Sequence, residues 1–175
     1  YSMLYQAENA VDVVVQQSEV NRLIENRRFH VYYQRAKHYL LIQTNQRDAR
    51  NSIKRLRHAE PSVIARPEEI NLLDVLPIGD PTGAVFGKLK IAKIRSAALH
   101  GTVTVVDSEE WQHLAEAGEA RIVYMRAQTP SGDERPLQLM VDRSAVLMKD
   151  ISERQNLEFV AELQRSIDEV LEQKR

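Results

Sequence analysis

Apolar residues at Leu4, Ala7, Val11 and Val14 recur every three or four positions, and Val20, Leu23 and Ile24 resume the stripe. That spacing predicts a helix over residues 4–26. The run Val13-Val14-Val15 works against it, because β-branched side chains lose χ1 freedom in a helix. Next, Phe29, Val31 and Tyr33 alternate with His30 and Tyr32, and Tyr39-Leu40-Leu41-Ile42 is a second strand-forming run. The alternation predicts a hairpin over 28–44 that turns at Arg35–His38. Those four residues include no Gly, Asn or Asp to set a tight turn, and one long helix continuing from residue 4 is the alternative. From Arg47 to Ala59 the helical period returns. Ala49, Ile53 and Leu56 form a narrow apolar stripe, Arg47, Arg50, Lys54, Arg55 and Arg57 cover much of the remainder, and Pro61 stops the element.

Residues 60–84 hold four of the six Pro and two of the six Gly, and LPIGDPTG at 76–83 is a series of turn formers. This stretch reads as a connector, with Ile70, Leu72, Leu73, Val75 and Leu76 burying some surface along it. Beyond it, residues 85–95 and 102–106 are rich in strand formers, with His100-Gly101 as the turn between them. Apolar parity slips within the first run, from Leu89 and Ile91 to Ala92 and Ile94, which indicates a bulge or a strand end. DSEEWQHLAEAG (107–118) has the punctuation of a short helix: Asp107 or Ser108 as cap, Glu109 and Glu110 in the first turn, Gly118 at the end. Arg121–Ala127 and Leu137–Val141 predict a hairpin across TPSGDERP (129–136). A last helix starts near Asp150, with Glu153 at the capping-box position.

The pattern therefore predicts an α+β protein. A helical, basic N-terminal module (1–59) and a connector (60–84) precede a β-β-α-β-β-α unit (85–175) with a small, mainly antiparallel sheet and a long C-terminal helix. Composition is compatible with this. At 175 residues, with 43% hydrophobic and 28% charged side chains, the chain is long and apolar enough to fold around a core without staples. Cys is absent, which excludes a disulfide framework, a thiolate metal site and cysteine catalysis. No apolar run approaches the roughly 18 residues of a membrane span, and no signal-peptide pattern opens the chain. The expected location is the cytoplasm. Because the chain begins at Tyr1 rather than Met, the alternative is a piece of a longer protein, including an extracytoplasmic domain of a membrane protein.

Charge changes the picture more than composition does. Residues 1–26 carry four acids and one base, 27–58 nine bases and one acid, 59–107 six acids and five bases, and the remainder fourteen acids and nine bases. A net charge of −1 thus conceals a dipolar distribution.

Motifs with chemistry are scarce. TGAVFGKL (82–89) approaches a phosphate-binding loop, but Gly83 stands one place late and Leu89 occupies the position of the hydroxyl that would hold Mg²⁺. Glu110 and His113 share a helical face, yet no second Glu-x-x-His exists to complete a carboxylate-bridged metal centre. Asp80 before Pro81 is turn chemistry, and no Gly-x-Ser-x-Gly is present. No catalytic residue, cofactor or metal is expected.

What remains is the basic block. Arg35, Lys37, Arg47, Arg50, Lys54, Arg55 and Arg57, flanked by Tyr and His, suit phosphate contacts and base stacking, so nucleic acid or another anionic macromolecule is the expected partner. Pairing of those cations with the acidic half is the competing reading. In the last helix Val160, Leu163, Ile167 and Val170 follow an a/d rhythm over two heptads, which suggests either a homodimer seam or packing on the chain's own sheet. The function expected is a binding or regulatory module. An excised ligand-binding sensor domain and an enzyme with a dispersed site are the alternatives.

Overall fold

A β-branched run such as Val13–Val15 favours extended backbone, and strand is what it forms. The computed structural model describes residues 2–15, 18–34, 39–62, 66, 68–147 and 152–174, arranged as two compact units, Tyr1–Arg66 and Pro67–Arg175. In the first unit β1 (Ser2–Val15) and β2 (Ser18–Gln34) pair antiparallel from Ser2↔His30 to Val15↔Ser18, with a register shift between Ala10 and Val13. The helix expected over 4–26 is therefore corrected to a two-stranded ribbon. Val11, Val13, Val14, Val15, Val20 and Ile24 all prefer the pleated backbone, and a local three-four spacing cannot register a pairing partner twenty residues away.

The expected hairpin at 28–44 is present. β3 (Tyr39–Gln43) adds to the other edge of β2 with Val31 opposite Ile42, giving a three-stranded sheet in the order β1-β2-β3. Phe29 and Val31 are buried on one face with half-buried Leu40 and Ile42, while His30 on the opposite face is exposed. The turn expected at Arg35–His38 lies outside the described residues.

α1 (Gln46–Ala59) follows. Asn45 caps it by accepting the Asp48 N–H (2.9 Å) and donating its side-chain amide to the Asp48 carboxylate (2.7 Å). The expected stripe of Ala49, Ile53 and Leu56 is only half-buried; the buried positions are Asp48 and Ser52. Local bonds satisfy these polar groups, since the Ser52 hydroxyl donates to the Asp48 carbonyl at 2.7 Å.

Within the second unit a five-stranded antiparallel sheet has the order β5-β4-β6-β7-β8. Its strands are β4 (Gly79–Ile91), β5 (Ile94–His100), β6 (Glu119–Gln128), β7 (Glu134–Met140) and β8 (Ala145–Leu147). Most of the expected connector belongs to this unit. Leu72, Val75 and Ile78 of a 3-10 helix (Leu72–Ile78) are buried in its core, and Gly79–Gly83 lie in the inner strand β4. Pro81 is tolerated in that inner strand because the β4–β6 register shifts between Pro81 and Gly83.

The β4–β5 turn also differs from expectation. It falls at Ala92-Lys93, where Lys93 adopts a left-handed φ of 68°, and residues 102–106 form no strand. The parity slip at Ile91/Ala92 was that turn, made without Gly or Asn. The loop after β5 returns to β4 through Gly101 N–H to the Thr82 carbonyl (2.8 Å) and Val105 N–H to the Pro81 carbonyl (3.0 Å).

α2 (Glu109–Ala117) starts at a Ser108 cap and ends at Gly118, where a Cβ would lie 2.6 Å from the Gly87 carbonyl oxygen. α3 (Glu153–Gln173) is capped by Ser152, which accepts the Gln155 N–H at 3.2 Å, two residues after the expected Asp150 start. Leu163 and Ile167 are fully buried in the core beside Phe159, and Val160 and Val170 pack against it. The a/d stripe is thus intramolecular and leaves no free seam for a homodimer, because an α+β sheet has a face for it to cover.

Candidate nucleic-acid interface

The cationic side chains of α1 are placed by helical geometry. Arg47, Arg50, Lys54 and Arg57 follow one another at three, four and three residues, so they share one face, with Arg55 to the side. All five are exposed, as is His58 at the end of the helix. From Arg47 to Arg57 the stripe extends ~15 Å along the axis. The helix's only acid, Asp48, is buried and engaged with Asn45, which leaves no exposed carboxylate among residues 46–59. Glu60, just beyond the end, accepts the Ser62 hydroxyl.

Pairing separates these cations. Arg50 and Arg55 have interactions of their own, whereas Arg47, Lys54 and Arg57 make no hydrogen bond or ion pair among the described residues. Arg35 and Lys37, also expected to contribute, lie outside the described residues.

Acidic residues of the second unit meet bases of that same unit. Lys88 reaches Glu119 at 2.8 Å, Arg135 reaches Asp133 at 2.6 Å, and Arg143 reaches Asp168 at 2.6 Å and also Glu68. Lys174 reaches Asp74 at 2.8 Å, and Arg154 reaches Glu158 at 2.8 Å. The hydrogen bond from Lys88 holds the Glu119 carboxyl below the usual glutamate range, and the Ser131 hydroxyl does the same for Glu162. Charge is unequal between the units. The first has eleven Lys and Arg against six Asp and Glu, a net of +5; the second has thirteen against nineteen, a net of −6.

Two arginines of the second unit, buried Arg135 and half-buried Arg143, carried no signal as site residues. Arg135 is held by Asp133 and by Asn156 (2.9 Å), with its guanidinium 4.8 Å from the centre of the Phe159 ring. Its place in β7 shares the parity of Leu137 and Leu139, visible in the sequence, which marks an inward-facing position. Arg143 sits in the β7–β8 turn and is fixed by carboxylates from two distant segments, which no local pattern announces.

The weaker motifs stay inert. Glu110 and His113 are both exposed, and Lys88 follows Gly87 within a strand rather than before a helix. Among the described residues no group of three or more His, Asp and Glu is placed to hold a metal ion, and no helix is long and apolar enough to cross a membrane. No protein-family model, curated protein or solved structure matches this chain.

Proposed function

We propose that the chain is a binding module whose helix α1 lies against the phosphodiester backbone of a nucleic acid. The observation that carries the reading is the trio Arg47, Lys54 and Arg57. These cations are exposed on one helical face with no acid to neutralise them, while the only carboxylate of the helix is buried. Arg guanidinium and Lys ammonium groups bind phosphate oxygens through charge-assisted hydrogen bonds, without regard to base identity. Four acids of the second unit, Glu119, Asp133, Asp168 and Asp74, are engaged by bases of that same unit, which supports the same reading.

Binding of this kind is steep in salt, because each neutralised phosphate releases condensed counterions. For ~3–5 contacts to a duplex, the slope of log K against log salt is about −2.7 to −4.5. Fluorescence anisotropy of a labelled duplex and a labelled single strand, each at several salt concentrations, measures it. Replacing Arg47, Lys54 and Arg57 together by Glu abolishes binding and leaves the circular dichroism spectrum unchanged. A wild-type protein that ignores DNA and RNA at low salt, or a triple variant that binds as well as wild type, ends the proposal.

A further inference from the structure

The two edges of the second unit's sheet are unlike. Among the described residues β8 spans three, whereas β5 runs for seven. Neither face of β5 is well covered: Ile94, Arg95, Ser96, Ala98 and His100 are exposed, and only Ala97 and Leu99 pack partly against the core. Natural sheets blunt such an edge with Pro, Lys, a bulge or an inward charge, and Ser96-Ala97-Ala98-Leu99 has none of these.

Register decides which main-chain groups the edge presents. The Gly101 N–H donates to the Thr82 carbonyl, and the same register continues unbroken through Leu99↔Ala84 and Ala97↔Phe86. In an antiparallel ladder hydrogen-bonded pairs alternate, so Gly101, Leu99 and Ala97 turn their N–H and C=O groups toward β4. Ser96, Ala98 and His100 turn theirs outward, away from the sheet.

We infer that β5 is the interface between two copies of this chain, paired antiparallel about a two-fold axis at Ala98. The outward groups call for an extended strand, and this strand suits itself. Centring the pair on Ala98 engages every outward residue: Ala98 meets the partner's Ala98, and Ser96 meets the partner's His100. Ala97 then lies opposite the partner's Leu99, and Arg95 opposite the partner's Gly101. No like charges meet, and the small side chains at the axis let the two sheets continue as one. A foreign strand would find the same ladder but no pocket or charge on these alanines to select it. The isologous pair needs nothing further.

The chain has no cysteine, so Ala98→Cys introduces a unique thiol. Directly opposed residues of a hydrogen-bonded antiparallel pair have Cα atoms about 5.5 Å apart, within the range a disulfide spans. Under mild oxidation Ala98→Cys cross-links rapidly to a dimer on a non-reducing gel. Val146→Cys, on the short edge and also exposed, does not. By light scattering the wild type has twice the 20.1 kDa mass of the chain. Ala98→Pro removes an outward N–H without touching the β4 ladder, so it is monomeric with an unchanged thermal transition. Should that variant fold poorly, Ala98→Lys sets two ammonium groups side by side at the axis and gives a monomer at low salt. A wild type that is monomeric up to its solubility limit overturns the inference, as does cross-linking no faster at position 98 than at 146.

Discussion

Arg143 holds a left-handed φ of 59° in the β7–β8 turn, a conformation that glycine adopts without steric cost and that any other residue enters only under constraint. Its side chain supplies the constraint. Nη2 donates to Asp168 at 2.6 Å, Nη1 pairs with Glu68, and Nη2 also reaches the Gln164 carbonyl at 3.5 Å. Burial alone would lower the pKa of the guanidinium, but the hydrogen bonds to Asp168 and Glu68 outweigh it and raise the value. Backbone and side chain therefore pull in opposite directions, and their magnitudes decide the outcome of substitution. Arg143→Gly relieves roughly 1 kcal/mol of backbone strain but strips the guanidinium from a largely buried carboxylate, a loss of roughly 3–5 kcal/mol. A net destabilisation of about 2–4 kcal/mol is expected in urea unfolding of the second unit. Lysine, which keeps the charge but not the fork, is expected to fall between the two. An Arg143→Gly variant as stable as wild type would mean the ion pairs contribute nothing. The sequence contains every participant, yet nothing in Val141-Asp142-Arg143-Ser144 points to residues 68 and 168.

Helix α3 shows what a periodic pattern does and does not specify. The rhythm of Val160, Leu163, Ile167 and Val170 correctly marks one apolar face, but the same stripe serves a coiled-coil seam or a sheet-covering helix equally well. Only the sheet, assembled from strands far away in sequence, decides between them. Because Ile167 is fully buried, Ile167→Ala removes methyl groups from a packed core and is expected to cost about 2–5 kcal/mol, read by chemical denaturation. It should leave the native mass unchanged, since oligomerisation through this stripe is not available. Elsewhere the elements bounded by local chemistry were legible: α1 ahead of Pro61, α2 between Ser108 and Gly118, and the β6–β7 hairpin across Thr129–Asp133. Those that depend on a distant partner were not. β1 and β2 stabilise each other only by pairing, the β4–β5 turn relies on Lys93 rather than Gly, and Pro81 is housed by a bulge that no local rule anticipates.

At the scale of the whole molecule, a formal charge of −1 divides into a unit of +5 and a unit of −6, so the average describes neither. The basic block was legible in the sequence, but its pairing state was not, because the helix's one carboxylate, Asp48, is turned into a buried contact with Asn45 that spacing alone does not announce. If β5 joins two chains, each particle carries two α1 stripes, and the consequence is measurable. A short oligonucleotide engages one stripe, and wild type and Ala98→Pro should bind it with the same affinity per chain. A longer one that spans both stripes converts the second contact into an intramolecular event, and avidity then rises by ~10²–10⁴ without any new interaction. A length series titrated by anisotropy should therefore show wild-type affinity climbing past a threshold length while the Ala98→Pro curve stays flat. Identical curves for the two proteins would show that the stripes act singly. If the short oligonucleotide fails to bind either protein, α1 is not the nucleic-acid surface, whatever the state of β5.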